Sequence, residues 1–186
     1  RLQENLLSET EIDFVVGPDA YRSLPSILRS EHPNVNVVLS TTETYEDITP
    51  QRYQSNTVSA FVSIMRGCNN FCSYCLIPYL RGRIRSRSVE SIKREIDYLQ
   101  PEEVVLTGIN LSAYNYNGID LAELLNLLKD CKCRIRLGSL EVNVVDERFL
   151  NACKNLFDFA PHFHLSLQSG SDKVLREMNR HYTREH

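Results

Sequence analysis

The feature that most constrains the fold of this chain is a regular alternation of strand and helix patterns from residue 57 onward. Four apolar runs of strand length each precede a segment with helical apolar spacing, and they lie at 57–65, 103–108, 134–139 and 162–168. Alternation at this spacing predicts βαβ units and a parallel sheet. Four units make half of an eight-unit barrel or most of a six-unit open barrel. We therefore expect an α/β fold with a partial (β/α) barrel.

The first 49 residues carry a shorter pattern of the same kind. Residues 12–39 predict a strand, a helix that runs to about Arg29, and a second strand. We interpret residues 1–49 as the tail of a preceding α/β domain with its linker, and residues 50–186 as the first part of the barrel. Because the chain starts at Arg1 rather than Met, we expect a fragment of a longer protein.

Composition narrows the class of protein. The net charge of −3 gives no global basic field, and no apolar run approaches the ~18–20 residues that span a bilayer. No signal peptide is visible, so we expect a cytoplasmic, monomeric protein without a membrane partner. In that compartment six cysteines do not indicate disulfides. Three of them are interpreted as free thiols in helix or core positions: Cys131, Cys133 and Cys153.

The other three cysteines lie on one loop directly after the first barrel strand, as Cys68, Cys72 and Cys75. Thiolates are the soft ligands that suit iron–sulfur clusters. Three of them can hold three corners of a 4Fe-4S cube and leave the fourth iron open for a chelating substrate. A structural zinc site, with His162 or His164 as fourth ligand, is the alternative.

Chemistry in such sheets gathers at the carboxyl ends of the strands. Those ends carry polar or glycine residues that we predict to contact a ligand: Gly108, Asn110, Glu141, Gln168 and Ser169. The planar guanidinium group of an arginine can bind a carboxylate through two hydrogen bonds, so Arg180 is a further candidate for ligand contact. Four arginines close behind the cysteines either contact RNA phosphate, form a solvated loop or steady the cysteine loop: Arg81, Arg83, Arg85 and Arg87.

The cysteine spacing, with the aromatic Tyr74 before the last cysteine, resembles the radical S-adenosylmethionine (SAM) superfamily. That resemblance implies a 4Fe-4S cluster whose open iron binds the amine and carboxylate of SAM. One electron from the reduced cluster then cleaves a C–S bond and gives a 5′-deoxyadenosyl radical. The resemblance also implies that the backbone beside Tyr74 meets the adenine.

Longer motifs are similar to the methylthiotransferase family: MRGCNNFCSYCLIPY at 65–79, LSLQSGS at 165–171 and MNRHYT at 178–183. The resemblance implies methylthiolation of C2 of a hypermodified adenosine next to the tRNA anticodon, or of a ribosomal-protein aspartate. It implies a second cluster in the intact enzyme, the tRNA anticodon stem-loop as partner, and flavodoxin or ferredoxin as electron donor. A non-catalytic metal-cluster module that binds RNA is the alternative of another class.

The motifs divide between two adenosine substrates. SAFVSIM at 59–65 resembles the isopentenyladenosine branch, whereas LTGINLSAY at 106–114 and RLGSLE at 136–141 resemble the threonylcarbamoyladenosine branch. That second branch usually has Pro where this chain has Val142. Both substrates stay open, with the balance slightly toward threonylcarbamoyladenosine.

Overall fold

A computed structural model of the chain describes residues 3–8, 11–32, 34–48 and 58–186. The strands are β1 Phe14–Val16, β2 Asn34–Asn36, β3 Ser59–Ser63, β4 Met65–Arg66, β5 Arg85–Ser86, β6 Glu103–Thr107, β7 Asn115–Tyr116, β8 Ile119–Asp120, β9 Arg134–Leu137, β10 Ser139–Leu140, β11 Asp158–Phe159 and β12 His164–Leu165. The helices are α1 Gln3–Leu6, α2 Leu24–Ile27, α3 Ile77–Arg81, α4 Val89–Leu99, α5 Leu121–Leu127, α6 Glu147–Asn155 and α7 Asp172–Glu177.

The main sheet has four parallel strands in the order β11–β9–β6–β3, with helices α4, α5 and α6 in the connections. A second parallel pair, β10 with β12, continues the direction of β9 and β11 toward the carboxyl ends. The predicted parallel α/β architecture is therefore confirmed. In the first 49 residues, β1 and β2 also pair in parallel, with a short helical connection between them.

The core lies between this sheet and its helices. Alternate strand residues point toward the helices and are buried, as Ile135 and Leu137 are at 1% and 2% exposure. The helices contribute apolar residues at helical spacing: Val89, Ile92, Ile96, Leu121, Leu124, Leu125, Phe149 and Ala152. Among the described helices, none has the length and apolar character needed to cross a bilayer.

Helices α4, α5 and α6 begin where the sequence predicts, because each has a side-chain cap. The side chains of Ser88, Asp120 and Asp146 each accept a hydrogen bond from the backbone N–H three residues later. These caps fix the points at which the preceding loops end and the helices begin.

The predicted strand at 162–168 differs from the structure. The chain instead joins the sheet at 158–159, leaves it, and pairs again at 164–165. Pro161 lies in the gap and has no N–H to donate to a ladder, which explains the interruption. Leu167, which the alternation placed on an apolar face, is 61% exposed.

Candidate functional site

The three cysteines lie on a long loop that a two-stranded ribbon closes at its base. Strand β4 pairs antiparallel with β5, so the loop leaves and returns at neighbouring points. Gly67 makes the turn into the loop with φ of +73°, and a Cβ there would lie 1.9 Å from the Arg83 carbonyl oxygen. The N–H of Cys68 then donates to the Gly82 carbonyl at 3.1 Å. Only glycine fits this crossing, which explains why one directly precedes Cys68.

All three thiols line one cavity of about 210 Å³ at the carboxyl ends of the strands. The other lining residues are Asn70, Tyr74, Ile77, Ile109, Asn110, Ser139, Leu140, Glu141, Ser166 and Arg180. The structure thus brings the cysteines and the adjacent Tyr74 together with three predicted site residues that are distant in sequence: Asn110, Glu141 and Arg180.

Glu141 and Arg180 form a largely buried ion pair at the wall of this cavity. Arg180 Nη1 donates to Glu141 Oε1 at 2.6 Å, and Arg180 Nη2 donates to the Tyr74 hydroxyl at 2.8 Å. The amide of Asn70 donates to the same Glu141 oxygen. The Glu141 N–H donates to Ser112 Oγ at 2.8 Å, which fixes the backbone of this strand end. A cation and an anion therefore lie side by side where a zwitterionic ligand finds both of its partners.

One observation in the cavity points to a bound group. Asn110 is 5% exposed, and neither its side-chain oxygen nor its nitrogen has a hydrogen-bond partner. A buried amide without partners is costly unless a ligand satisfies it. Burial also raises the pKa of the Cys68 thiol, and the neighbouring Cys72, Glu141 and Cys75 add to this. Iron bound by this thiol would reverse that effect, because a metal-bound thiol is deprotonated.

The donor set fits a 4Fe-4S cluster better than a single ion. Such a cluster takes one thiolate on each of three different irons, so its ligands need not converge on one point. Within the described residues, no three His, Cys, Asp or Glu side chains are grouped closely enough to hold one metal ion. His162 and His164 are exposed and lie outside the cavity lining, and His164 instead contacts Ser139 Oγ through Nδ1 at 3.2 Å. The zinc alternative therefore gains no support.

Three predicted ligand residues do not line the cavity. Gly108 lies at the end of its strand, but a Cβ there would be 2.7 Å from the Met65 side chain, so packing requires this glycine. Gln168 is exposed with φ of +58°, and Ser169 Oγ accepts a hydrogen bond from the Ser171 N–H. The cavity lining instead includes Ser166, which directly follows β12 and which was not predicted from the sequence.

Two of the four arginines predicted to contact RNA are buried, which corrects that prediction. Arg85 donates to Asp19 Oδ2 and to the Arg81 carbonyl, both at 2.8 Å. Arg87 donates to Glu95 Oε2 at 2.5 Å. Both side chains are paired inside the protein at 6% exposure, although the Nε of each has no hydrogen-bond partner, so neither is exposed to a phosphate. Of the three roles considered for these arginines, stabilisation of the cysteine loop fits Arg85 best, because Arg85 lies on β5, the strand that closes that loop.

Arg81 and Arg83 are exposed on the outer side of the same loop. The Arg83 guanidinium lies 4.3 Å from the centre of the Phe71 ring, a cation–π distance. Cys131, Cys133 and Cys153 are free thiols away from the cavity, as predicted, and the last two are buried.

Comparison with known proteins agrees with this geometry. The model of the Radical SAM superfamily matches residues 62–186. The tRNA-2-methylthio-N(6)-dimethylallyladenosine synthase of Bacteroides fragilis is 41% identical over 100% of this chain and 43% of its own length. The enzyme of that name from Porphyromonas gingivalis is 42% identical over 99% of this chain and 42% of its own length. The chain therefore spans less than half the length of these curated relatives.

A solved structure has the same fold. The radical S-adenosylmethionine methyltransferase TsrM of Kitasatospora setae superimposes with a TM-score of 0.56 over 68% of this chain and 26% of its own, at 16% identity. This agreement supports the predicted α/β fold with a partial barrel. The chain belongs to the radical SAM superfamily and, within it, to the methylthiotransferase family.

Proposed function

We propose that Cys68, Cys72 and Cys75 hold a 4Fe-4S cluster and that the cavity beside them binds SAM. The observation that carries this proposal is the cavity itself. It combines three thiols, the adjacent Glu141–Arg180 ion pair and a buried amide without partners. A reduced cluster bound there supplies the electron that cleaves the C–S bond of SAM.

The residues around the thiols suit the two charged groups of a methionine moiety. Glu141 accepts hydrogen bonds from an ammonium group, and Arg180 offers its guanidinium to a carboxylate. Asn110 supplies an amide nitrogen as donor and an amide oxygen as acceptor, and neither has a partner within the protein. The backbone beside Tyr74 is assigned to the adenine through the family resemblance. Gly108, Gln168 and Ser169 remain predicted contacts, and their positions outside the lining give them less support.

For the whole protein we assign methylthiolation of a tRNA adenosine next to the anticodon. The relatives named above are called dimethylallyladenosine synthases, and this supports the isopentenyladenosine substrate over threonylcarbamoyladenosine. The sequence preference for threonylcarbamoyladenosine thus finds no support in them. The second cluster, the flavodoxin or ferredoxin donor, and the cytoplasmic monomer remain predictions. Arg81 and Arg83, which are exposed, remain predicted RNA contacts.

The radical-forming half of this proposal is tested with the chain after anaerobic reconstitution with iron and sulfide. Dithionite and SAM are added, and 5′-deoxyadenosine is measured by mass spectrometry. We expect its formation in wild type and its absence in Cys72→Ala, with Cys153→Ala as a control that keeps it. A colourless protein that binds zinc and leaves SAM intact would favour the RNA-binding module instead.

The substrate is tested in cells that lack the gene. Nucleosides from their tRNA should retain dimethylallyladenosine without its methylthio group, and the full-length gene should restore the modification. If the cells instead lose methylthio-threonylcarbamoyladenosine, the substrate is threonylcarbamoyladenosine. If the tRNA is unchanged and a ribosomal-protein aspartate lacks its methylthio group, the substrate is the ribosomal protein.

A further inference from the structure

The segment just after helix α7 reaches back to the cysteine loop through three consecutive residues. Met178, Asn179 and Arg180 each make a hydrogen bond with a residue between 70 and 74. More than 100 residues separate the partners in sequence, so these contacts exist only in the folded protein. They hold the loop at a place remote from the β4–β5 ribbon that closes its base.

Two of these contacts bracket the middle cysteine. Asn179 Nδ2 donates to the Phe71 carbonyl at 3.1 Å, and the Ser73 N–H donates to the Met178 carbonyl at 3.2 Å. That carbonyl and that N–H belong to the two peptide bonds on either side of Cys72. The backbone of Cys72 is therefore fixed from both sides by the end of α7.

Backbone conformation makes the first of these contacts important. Phe71 has φ of +49°, in the left-handed region that a bulky residue rarely adopts. The Asn179 amide bonds the carbonyls on both sides of this residue, since it also donates to Asn70 O at 2.8 Å. Asn179 itself has φ of +56°, a conformation that asparagine tolerates better than most residues. The amide thus ties down the one strained turn between the first two cysteines.

We propose that Asn179 is a positioning residue, which holds Cys72 in the place that cluster binding requires. Its side chain is not part of the cavity lining, so it acts through the loop backbone and not on the ligand. The next residue, Arg180, contacts Tyr74 and Glu141, so the same segment connects the cysteine loop with the ligand side of the cavity. This inference rests on the cluster assignment in the proposed function.

The test uses Asn179→Gly, which removes the amide donors and leaves a residue that readily adopts the left-handed backbone. Asn117→Gly is the matched control, because Asn117 has φ of +52° on the exposed turn between β7 and β8. Each variant is reconstituted anaerobically, and iron loss to a chelator and the EPR spectrum of the reduced cluster are followed. We expect Asn179→Gly to lose iron about tenfold faster than the control, the effect of one to two hydrogen bonds, with an altered spectrum.

A second variant keeps the test decisive if Asn179→Gly folds poorly. Asn179→Asp preserves the shape of the side chain but places an acceptor against two carbonyl oxygens, so it should also lose iron faster than wild type. Iron loss and spectra equal to those of Asn117→Gly in both variants would overturn the positioning role while leaving the cluster assignment intact. Failure of wild type itself to bind iron would overturn the proposed function and this inference together.

Discussion

The burial of Arg87 leads to a quantitative prediction for the variant Arg87→Met. Its guanidinium donates to the Ser63 carbonyl at 2.9 Å and to Glu95 at 2.5 Å, and the two charged side chains are 7% and 11% exposed. The Met side chain keeps the apolar stem and removes the charge. Glu95 is then left nearly buried without its cation, and the Ser63 carbonyl loses a donor.

The expected cost follows from the burial of this pair. Removal of one partner of a buried ion pair costs about 3–5 kcal/mol, and the partial exposure of Glu95 favours the lower value. About 3 kcal/mol corresponds to a fall in melting temperature of about 6–12 °C for a protein of this size. Thermal unfolding followed by circular dichroism measures this fall. Arg83→Met is the matched control, because Arg83 is exposed and the loss of its cation–π contact with Phe71 is worth about 1 kcal/mol or less.

A double-mutant cycle separates the ion pair from other effects. Arg87→Met combined with Glu95→Gln should cost less than the sum of the single changes, because no unpaired charge is left in the core. The reasoning is refuted if Arg87→Met melts within 2 °C of Arg83→Met, or if it loses tRNA affinity at unchanged stability.

Three further predictions follow from the site and the core. Gly67→Ala should prevent iron loading, because its Cβ would overlap a backbone oxygen 1.9 Å away, whereas Gly170→Ala, with open space around it, should load normally. Glu141→Gln should weaken SAM binding about tenfold, since it removes a charged acceptor, and equal affinity to exposed Glu147→Gln would contradict its role. Burial raises the pKa of Cys153 from 9.0 to about 11. Its contribution to stability is therefore complete below about pH 9 and is lost as the pH rises through about 11, so urea unfolding of Cys153→Ala should show a smaller loss of stability over that range.

Features that depend on neighbouring residues could be predicted from the sequence. The caps at Ser88, Asp120 and Asp146 act within one helical turn, and the predicted helix starts are confirmed. The alternation of Ile135 and Leu137 defines a strand with one buried face, and the structure agrees. The three cysteines likewise lie on one loop, so the grouping of their thiols follows from the local sequence.

Features that depend on distant partners could not be predicted. Arg85 is paired with Asp19, which is 66 residues earlier, and nothing local distinguishes it from exposed Arg83. The close packing of Gly108 against the Met65 side chain, which lies on another strand, is likewise a contact between distant residues. Asn179 contacts a loop more than 100 residues away, so its place beside Cys72 emerges only from the fold.

The most direct test of the central claim is the EPR spectrum of the reduced, reconstituted chain, recorded before and after addition of SAM. If the three cysteines leave one iron open beside Glu141 and Arg180, the spectrum is that of a reduced 4Fe-4S cluster and it changes when SAM is added. Absence of a cluster signal, or a signal that SAM does not alter, would contradict the account.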